Sequence, residues 1–229
     1  MGAILNIETS SDICSVALSN HGQLVDLMEK QNTRDHASKL TVLIQKLLEK
    51  NKLSVQELDA VAVSKGPGSY TGLRIGVSTA KGICYAANKP LLAVDTLKML
   101  CWQATEKVKE EQALYCPLID ARRMEVYTAL FSYGLHVIKP VMAEVITAEF
   151  LARELAGAKI YFFGSGAEKI KPLVSSENAG FIPDIYPSAA HMIALSEEEF
   201  LQNNFQDVAY FEPFYLKDFI ATTPRKKFL

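Results

Sequence analysis

The stretch Ala60-Val61-Ala62-Val63-Ser64-Lys65-Gly66-Pro67-Gly68-Ser69-Tyr70-Thr71-Gly72-Leu73-Arg74 decides the fold class, because it joins an apolar run to a helical pattern through a glycine-rich turn. The run Ala60 to Val63 is typical of a parallel strand that is covered on both faces. The pattern from Thr71 to Asn88 predicts a helix. A buried strand that leads directly into a helix indicates an α/β fold.

The residues before this stretch predict three strands and a helix. Ala3 to Ile7 is a strand that enters a polar turn, and two apolar runs flank Asn20-His21-Gly22 as in a hairpin. Apolar residues at helical spacing predict a helix over Ser38 to Lys50, namely Leu40, Leu43, Ile44, Leu47 and Leu48. After the central stretch, Leu91 to Val94 is a further strand, and Asp95 or Thr96 caps a helix through Trp102.

The same order of elements begins again after the charged stretch Glu106 to Gln112. The second half predicts strands over Leu114–Ile119, Glu125–Phe131, Val137–Val145 and Ile160–Phe163, a helix over Thr147–Ala156 stopped by Gly157, and helical patterns around Lys169 and over Ser188–Leu201. We therefore predict an α/β protein with two ribonuclease-H-like (actin-like ATPase) lobes, each a βββαβα unit. The predicted lobes are residues 1–105 and 106–229.

Composition and charge argue against several classes of protein. The chain has 229 residues, 49% of them hydrophobic and 22% charged, which is ordinary for a globular protein. Its net charge of -2 gives no general basic field for a nucleic acid, and the one dense basic run is Arg225-Lys226-Lys227. We find neither a signal peptide nor a membrane-length apolar run, so we expect a cytoplasmic protein without membrane contact.

The cysteines and histidines predict no metal site. Cys14, Cys84, Cys101 and Cys116 show no C-x-x-C spacing, which fits free thiols in a reducing compartment. His36 stands alone at the start of the first predicted helix, and His21, His136 and His191 lie far apart in the sequence. No set of these residues has ligand spacing.

The glycine-rich turn has two interpretations from its residues. Its spacing is G-x-G-x-x-x-G, which matches neither a dinucleotide fingerprint nor a phosphate loop, and Pro67 excludes a G-x-S-x-G nucleophile elbow. It is either a structural strand-to-helix turn or a ligand or partner site. The residues concerned are Gly66, Gly68, Ser69, Thr71 and Arg74, of which Ser69 and Thr71 can cap the helix.

Four segments together resemble the TsaB (YeaZ) family. They are Asn6-Ile7-Glu8-Thr9-Ser10, Gly66 through Arg74 with Ala80-Lys81-Gly82, Asp120-Ala121-Arg122 before Glu125-Val126-Tyr127, and Pro213-Phe214-Tyr215-Leu216-Lys217. The match in order and spacing spans nearly the whole chain.

The resemblance implies a two-lobed member of the actin-like ATPase superfamily that acts in tRNA modification. Its members pair with TsaD, which transfers a threonylcarbamoyl group to the adenosine beside the anticodon of tRNAs reading codons that start with A. The resemblance also implies contact with TsaE through the complex, indirect contact with tRNA, and no transfer activity of the chain itself. We expect a homodimer in isolation.

The residues themselves argue against an ATPase site. Glu8-Thr9-Ser10 replaces the Asp-x-Gly pattern of the superfamily, and Asp120-Ala121-Arg122 lacks the glycines of a second phosphate loop. Gly164-Ser165-Gly166 only weakly resembles an adenosine-binding turn. We therefore expect no catalytic residues and no required cofactor, with at most weak binding of ATP or ADP. The alternative function is an ATP-dependent phosphotransferase of the same superfold.

Small residues along the helix after the glycine turn predict a docking face. Gly72, Gly76, Ala80 and Cys84 recur every four residues, and with Leu73 and Val77 they form the predicted partner-binding set. The alternative is that this stripe packs against the chain's own sheet. If it is a docking face, a bulky residue at Gly76 or Ala80 abolishes TsaD binding and leaves the fold intact.

Overall fold

The computed structural model describes residues 2–31 and 36–217, together with the side chains in these ranges other than that of His36. The predicted basic run at 225–227 lies outside the described residues. Within the described ranges, no helix combines the length and the apolar character that a membrane crossing requires.

The first lobe is built on a five-stranded sheet with strand order β3-β2-β1-β4-β5. β1 pairs antiparallel with β2 and parallel with β4, so the hairpin strands and the crossover strands lie on opposite sides of β1. The strands are β1 (Ala3–Glu8), β2 (Cys14–Asn20), β3 (Gln23–Lys30), β4 (Ala60–Gly66) and β5 (Leu91–Asp95).

The second lobe repeats this order as β8-β7-β6-β9-β10, with β6 in the place of β1. β6 again pairs antiparallel with the next strand and parallel with the crossover strand. The strands are β6 (Leu114–Asp120), β7 (Glu125–Ser132), β8 (Val137–Val145), β9 (Ile160–Phe163) and β10 (Ala179–Phe181). The prediction of a duplicated ribonuclease-H-like α/β architecture is confirmed.

The helices differ in length between the two lobes. The first half of the chain carries α1 (His36–Lys50), α2 (Tyr70–Ala87) and α3 (Thr96–Val108), and the second carries α4 (Ala152–Gly157), α5 (Ala167–Ile170) and α6 (Ile193–Leu201). Short 3₁₀ turns occur at Val55–Glu57 and Ala189–Met192.

Two predictions for the second lobe are wrong. The helix predicted over Thr147 to Ala156 begins only at Ala152, because Leu151 has a left-handed backbone with φ of 54° that interrupts the helical geometry. The strand β10 was not predicted, since three residues reading Ala-Gly-Phe carry no alternation and contain a glycine.

Alternate residues of the central strands face two different cores. In β1, Leu5 and Ile7 pack with the apolar stripe of α1 and with α2, whereas Ile4 points to the opposite face. There Ile4 packs with Met99 of α3 and with Met192 and Leu195 at the start of α6. The two-residue period of a strand accounts for this division.

Helices α3 and α6 link the two lobes. Leu97, Leu100 and Cys101 of α3 pack with Tyr115 and Phe131 of the second sheet. α6 follows the second sheet in the chain but packs on the first, as the contacts of Leu195 show. The helix that ends each half of the chain therefore contributes to the core of the other half.

Candidate functional site

The polar turn after β1 lies directly against the glycine turn that starts α2. The Ser69 N–H donates to the Ser10 carbonyl oxygen at 2.6 Å, and the Thr9 hydroxyl donates to the Gly72 carbonyl oxygen at 2.8 Å. Ser69 also caps α2, because its hydroxyl oxygen accepts from the Gly72 N–H at 3.2 Å. The predicted capping role of Ser69 is therefore confirmed.

Glycine is required where these two turns meet. A Cβ atom at Gly72 would lie 2.0 Å from the Thr9 carbonyl oxygen, one at Gly76 would lie 2.2 Å from the Thr9 hydroxyl oxygen, and one at Gly68 would lie 2.4 Å from the Ser10 carbonyl oxygen. No side chain fits at such distances. The glycines leave room for Thr9 and Ser10 of the turn after β1. This packing favours the structural interpretation of the glycine turn.

The predicted partner-binding stripe is corrected by its burial. Gly72, Leu73, Gly76, Val77, Ala80 and Cys84 are the buried residues of α2. They face the Thr9 turn and the first sheet, so another helix cannot approach along them. A bulky residue at Gly76 would disturb the fold, contrary to the prediction that the fold stays intact. Any partner has to contact residues of α2 outside this stripe.

Glu8 ends β1 in a fully buried position. Its Oε1 accepts from the Ser10 N–H at 2.5 Å, whereas its Oε2 and the hydroxyls of Ser10 and Ser64 have no hydrogen-bond partner within the described part of the chain. Burial raises the pKa of the Glu8 carboxyl, and the neighbouring polar groups of Ser10 and Ser64 oppose that shift only in part. The site therefore disfavours the ionised carboxylate, which is the form that binds a metal ion.

The equivalent position in the second lobe is Asp120, at the end of β6. Burial opposes its ionisation, but hydrogen bonds from the Lys169 ammonium at 2.5 Å and from the Arg122 N–H at 2.6 Å outweigh it and lower the pKa of Asp120. The Asp120 N–H donates to the Ser165 hydroxyl oxygen at 3.0 Å. The Asp120 carboxylate is thus ionised, and it forms its hydrogen bonds and its ion pair with residues of its own lobe.

The glycine turn after β9 repeats a contact of the first lobe. The Gly166 N–H donates to the Leu118 carbonyl oxygen at 2.9 Å, as Ser69 does to Ser10. Gly164 has a φ of 92°, and a Cβ atom there would lie 2.5 Å from the same Leu118 oxygen. This turn also serves close packing between the first and fourth strands of its lobe.

The C-terminal segment crosses from the first lobe to the second. The Phe214 N–H donates to the Lys65 carbonyl oxygen at 2.7 Å, and Tyr215 packs on Tyr70 with ring centroids 4.7 Å apart. Two residues further on, the Lys217 ammonium pairs with Glu125 of β7. The sequence singled out this segment only through the family resemblance, because its hydrogen-bond partners are distant in the chain.

A groove of about 380 Å³ lies between α1 and α2, which cover the face of the first sheet opposite to the face that α3 and α6 cover. Its lining is mainly apolar and comprises Thr41, Ile44, Gln45, Leu48, Glu49, Leu53, Val55, Thr79 and Ile83. The sequence pattern assigned Ile44 and Leu48 to the core, and periodicity alone could not show that they also form the floor of a groove.

A second cavity, of about 470 Å³, lies in the second lobe between the outer strands and α4. An ion pair of 2.7 Å between Lys139 and Glu154 lies at this cavity, and Cys116 and Thr128 line it. Burial raises the pKa of the Cys116 thiol to about 12. This thiol is therefore not a nucleophile at neutral pH.

Among the described side chains, the remaining cysteines and the histidines form no metal-binding group. All four cysteines are free and buried, and burial raises the pKa of Cys14 to about 11 and of Cys84 to about 12. Burial also lowers the pKa of His191. Among the described residues there is no cluster of three or more histidine, cysteine or acidic side chains that could hold a metal ion.

Comparison with known proteins gives concordant results. Residues 29–224 match the model of the family described as TsaD, tRNA N6-adenosine threonylcarbamoyltransferase. The tRNA threonylcarbamoyladenosine biosynthesis protein TsaB of Escherichia coli is 30% identical over 95% of this chain and 96% of its own length. The TsaB protein of Haemophilus influenzae is 27% identical over 94% of this chain and 93% of its own.

A solved structure agrees with these sequence relationships. YeaZ from Pseudomonas aeruginosa superposes with a TM-score of 0.81 at 25% identity, and the alignment covers 94% of this chain and all of that one. The agreement extends over both lobes and over the segment that joins them.

Proposed function

Because this chain belongs to the TsaB (YeaZ) family of tRNA threonylcarbamoyladenosine biosynthesis proteins, we propose that it serves in that modification as the non-catalytic partner of TsaD. The acceptor is the adenosine beside the anticodon of tRNAs reading codons that start with A. TsaD carries out the transfer, and this chain supplies a surface that TsaD requires.

The groove between α1 and α2 is the observation that carries this proposal. Leu53, Val55 and Ile83 are half-buried and present apolar surface there, whereas Ile44 and Leu48 of the lining are buried. A groove between two helices accepts a helix or a helix pair from a partner, with apolar anchors in the groove and polar residues around it. Thr41, Gln45 and Glu49 of α1 supply such polar groups.

The polar turns after β1 and β6 support a role without catalysis. Glu8 is buried and favours its neutral form, Asp120 is paired with Lys169, and the Thr9 turn fills the space beside the glycines of α2. A metal-dependent phosphoryl transfer needs accessible charged carboxylates and open phosphate loops. We therefore propose that ATP or ADP binds weakly and that no cofactor is required.

The further parts of the proposal concern assembly and location. We propose a heterodimer with TsaD, contact with TsaE through that complex, indirect contact with tRNA, and action in the cytoplasm, where free thiols such as the four of this chain persist. In the absence of TsaD, the same groove would pair with a second copy about a two-fold axis. Sedimentation of the isolated chain tests the homodimer, and a strict monomer at high concentration contradicts it.

Reconstitution of threonylcarbamoyl transfer with TsaD, TsaE and this chain, each omitted in turn, tests the function. We expect transfer only when all three are present. Activity without this chain contradicts its role as a required partner. Activity with this chain alone contradicts its description as non-catalytic.

Substitutions in the groove test the docking surface. Ile83→Glu places a charge in the apolar lining and is expected to abolish co-elution with TsaD, and Thr79→Arg blocks the groove at a position that is less demanding for folding. Ile138→Glu on β8, where the side chain is 52% exposed, is the matched control and is expected to co-elute normally. Normal co-elution of both folded groove variants would show that TsaD docks elsewhere.

A further inference from the structure

Cationic and aromatic side chains form a continuous rim where the C-terminal segment crosses between the lobes. On the first lobe, the Arg74 guanidinium lies 5.5 Å from the centroid of the Tyr70 ring, and Tyr70 packs on Tyr215. On the second lobe, the Lys217 ammonium lies 5.8 Å from the centroid of the Tyr127 ring. Tyr215 and Lys217 are two residues apart, which limits their Cα separation to about 7 Å.

The turn between β6 and β7 extends this rim with two arginines. Arg122 and Arg123 are exposed and have φ values of 68° and 51°. The turn is joined to the rim through Glu125, whose N–H donates to the Arg122 carbonyl oxygen at 3.2 Å and whose carboxylate pairs with Lys217. Left-handed positions in a tight hairpin favour asparagine or glycine, so two arginines occupy them against the backbone preference.

The guanidinium groups of the rim carry charge that no ion pair among the described residues neutralises, although Arg74 Nη1 donates to the Tyr70 hydroxyl oxygen at 3.2 Å. The ion pairs found within residues 2–31 and 36–217 do not include Arg74, Arg122 or Arg123. The nearby carboxylates of Asp120 and Glu125 are already paired with Lys169 and Lys217. Glu212 beside Tyr215 offsets only one of the three arginine charges. Locally, the rim therefore has an excess of positive charge, although the whole chain has a net charge of -2.

The aromatic rings are also accessible. Tyr215 is 37% exposed and neighbouring Phe214 is 41% exposed, although both belong to a segment that packs on the first lobe. Exposed rings beside guanidinium groups are the combination that binds single-stranded nucleic acid, in which bases stack on the rings and phosphates meet the cations. A folded duplex offers no unstacked bases to such a surface.

We propose that this rim, formed by Arg74, Tyr70, Tyr215, Lys217, Arg122 and Arg123, binds a single-stranded segment of the tRNA substrate. The inference rests on the proposed function and adds to it a direct contact with RNA. Arg122 and Arg123 bind phosphates, and Tyr215 with Tyr70 offers a stacking surface for a base. On α2, the groove is lined by Thr79 and Ile83 and the rim by Tyr70 and Arg74, so the two surfaces share no residue.

The test measures binding of an unmodified tRNA to the complex of this chain with TsaD. Arg122→Glu/Arg123→Glu is expected to weaken tRNA binding on the order of tenfold or more. The slope of log affinity against log salt concentration is expected to become shallower by about 1 for each arginine. Tyr215→Ala is expected to weaken it less and to leave the salt slope unchanged. Glu212→Gln removes a carboxylate whose charge acts on Tyr215 and is expected to tighten binding.

The matched control is Lys109→Glu/Arg153→Glu. It changes the net charge equally at exposed positions outside the rim, and Lys109 shares the left-handed backbone of the two arginines, with φ of 56°. Equal affinity of the wild-type, rim and control complexes would overturn the inference, as would equal competition by single-stranded and fully duplex RNA.

Co-elution with TsaD separates this inference from the proposed function. We expect every rim variant to bind TsaD normally and to raise the KM for tRNA with little change in kcat. If the wild-type chain fails to bind TsaD, the proposed function is wrong. If the chain binds TsaD and the rim variants keep the wild-type KM, only the RNA contact is wrong.

Discussion

The ends of the central strands β1 and β6 occupy the same place in the two lobes but have opposite electrostatics. Glu8 is buried, and its environment raises its pKa, whereas Asp120 is paired with Lys169 and has a lowered pKa. In both lobes a backbone N–H of the glycine turn donates to a carbonyl oxygen near the end of this central strand. The repeated strand order thus keeps this backbone hydrogen bond in both lobes, whereas the environment and the pKa shift of the acidic residue differ.

The helices that follow the two glycine turns differ as well. In the first lobe, α2 has 18 residues and a row of glycines against the Thr9 turn. In the second lobe, α5 has four residues, and its turn packs against Leu118 and Val126. Gly72 of the first lobe is therefore in a tighter position than Gly166 of the second, although Gly164 also packs closely on a backbone oxygen.

The largest expected effect comes from breaking the packing of α2 on the Thr9 turn. Gly72→Ala places a Cβ atom 2.0 Å from a backbone oxygen, and we expect it to lower the free energy of unfolding by about 3 kcal/mol or more. Gly166→Ala in the second lobe meets mainly side-chain atoms, the nearest at 2.9 Å, and is expected to cost about 1–2 kcal/mol. Denaturant unfolding measures both.

Gly82→Ala is the internal control for these substitutions. Gly82 lies on the same helix α2, and a Cβ atom there would meet no other atom within 4 Å, so alanine is expected to stabilise the fold by about 0.5–1 kcal/mol. Equal destabilisation by Gly72→Ala and Gly166→Ala would remove the contrast between the lobes.

Substitution of Glu8 or Asp120 is expected to change the free energy of unfolding less. The pH dependence of this change has opposite signs at the two residues. The raised pKa of Glu8 means that ionisation destabilises the folded state as the pH rises above the ordinary glutamate value of 4.5. Glu8→Gln is therefore expected to stabilise the protein increasingly above that pH, by about 1–3 kcal/mol at most, the range for an unsatisfied buried polar group.

Asp120→Asn is expected to behave in the opposite way. The lowered pKa of Asp120 stabilises the folded state above the ordinary aspartate value of 3.8, and this contribution is lost as the pH falls through the folded pKa. The substitution is expected to cost less than about 1 kcal/mol at neutral pH, because the carboxylate is partly exposed. Thermal melts of both variants between about pH 2 and pH 8, a range that includes both ordinary carboxyl values, measure the contrast; parallel pH profiles would contradict it.

The smallest expected effect concerns how each lobe holds its first helix. The long helix α1 is held by an apolar stripe, whereas the short helix α4 also uses the 2.7 Å ion pair between Lys139 and Glu154. Glu154→Gln is expected to lower the stability by less than about 1 kcal/mol, and less still at high salt. A salt-independent loss of several kcal/mol would show that the ion pair contributes more than a surface pair does.

The sequence predicted the features of the fold that depend on local periodicity. The duplicated strand order, the helix α1 and the Ser69 cap follow from apolar spacing and from the positions of turn residues. The start of α4 and the strand β10 did not follow. Leu151 carries no local signal for a left-handed backbone, and β10 depends on pairing with β9.

The sequence pointed to the residues of the candidate site but did not show which groups they contact. The glycines of α2 were predicted to bind a partner, but four-residue spacing cannot tell whether a partner or the chain's own turn fills the stripe. The packing of Thr9 on Gly72 and Gly76 decides that question. The rim was beyond prediction, because Tyr70, Tyr215 and Arg122 come together only through the path of the C-terminal segment.

The crossing of α3 and α6 between the lobes has a consequence for how the molecule comes apart. Each sheet lacks part of its covering layer until the other half of the chain has been made, so neither half is a module that could be expressed alone or exchanged by recombination. A single cut in the 109–112 linker would leave two fragments that remain bound to each other. The molecule should therefore melt as one cooperative unit despite its internal duplication.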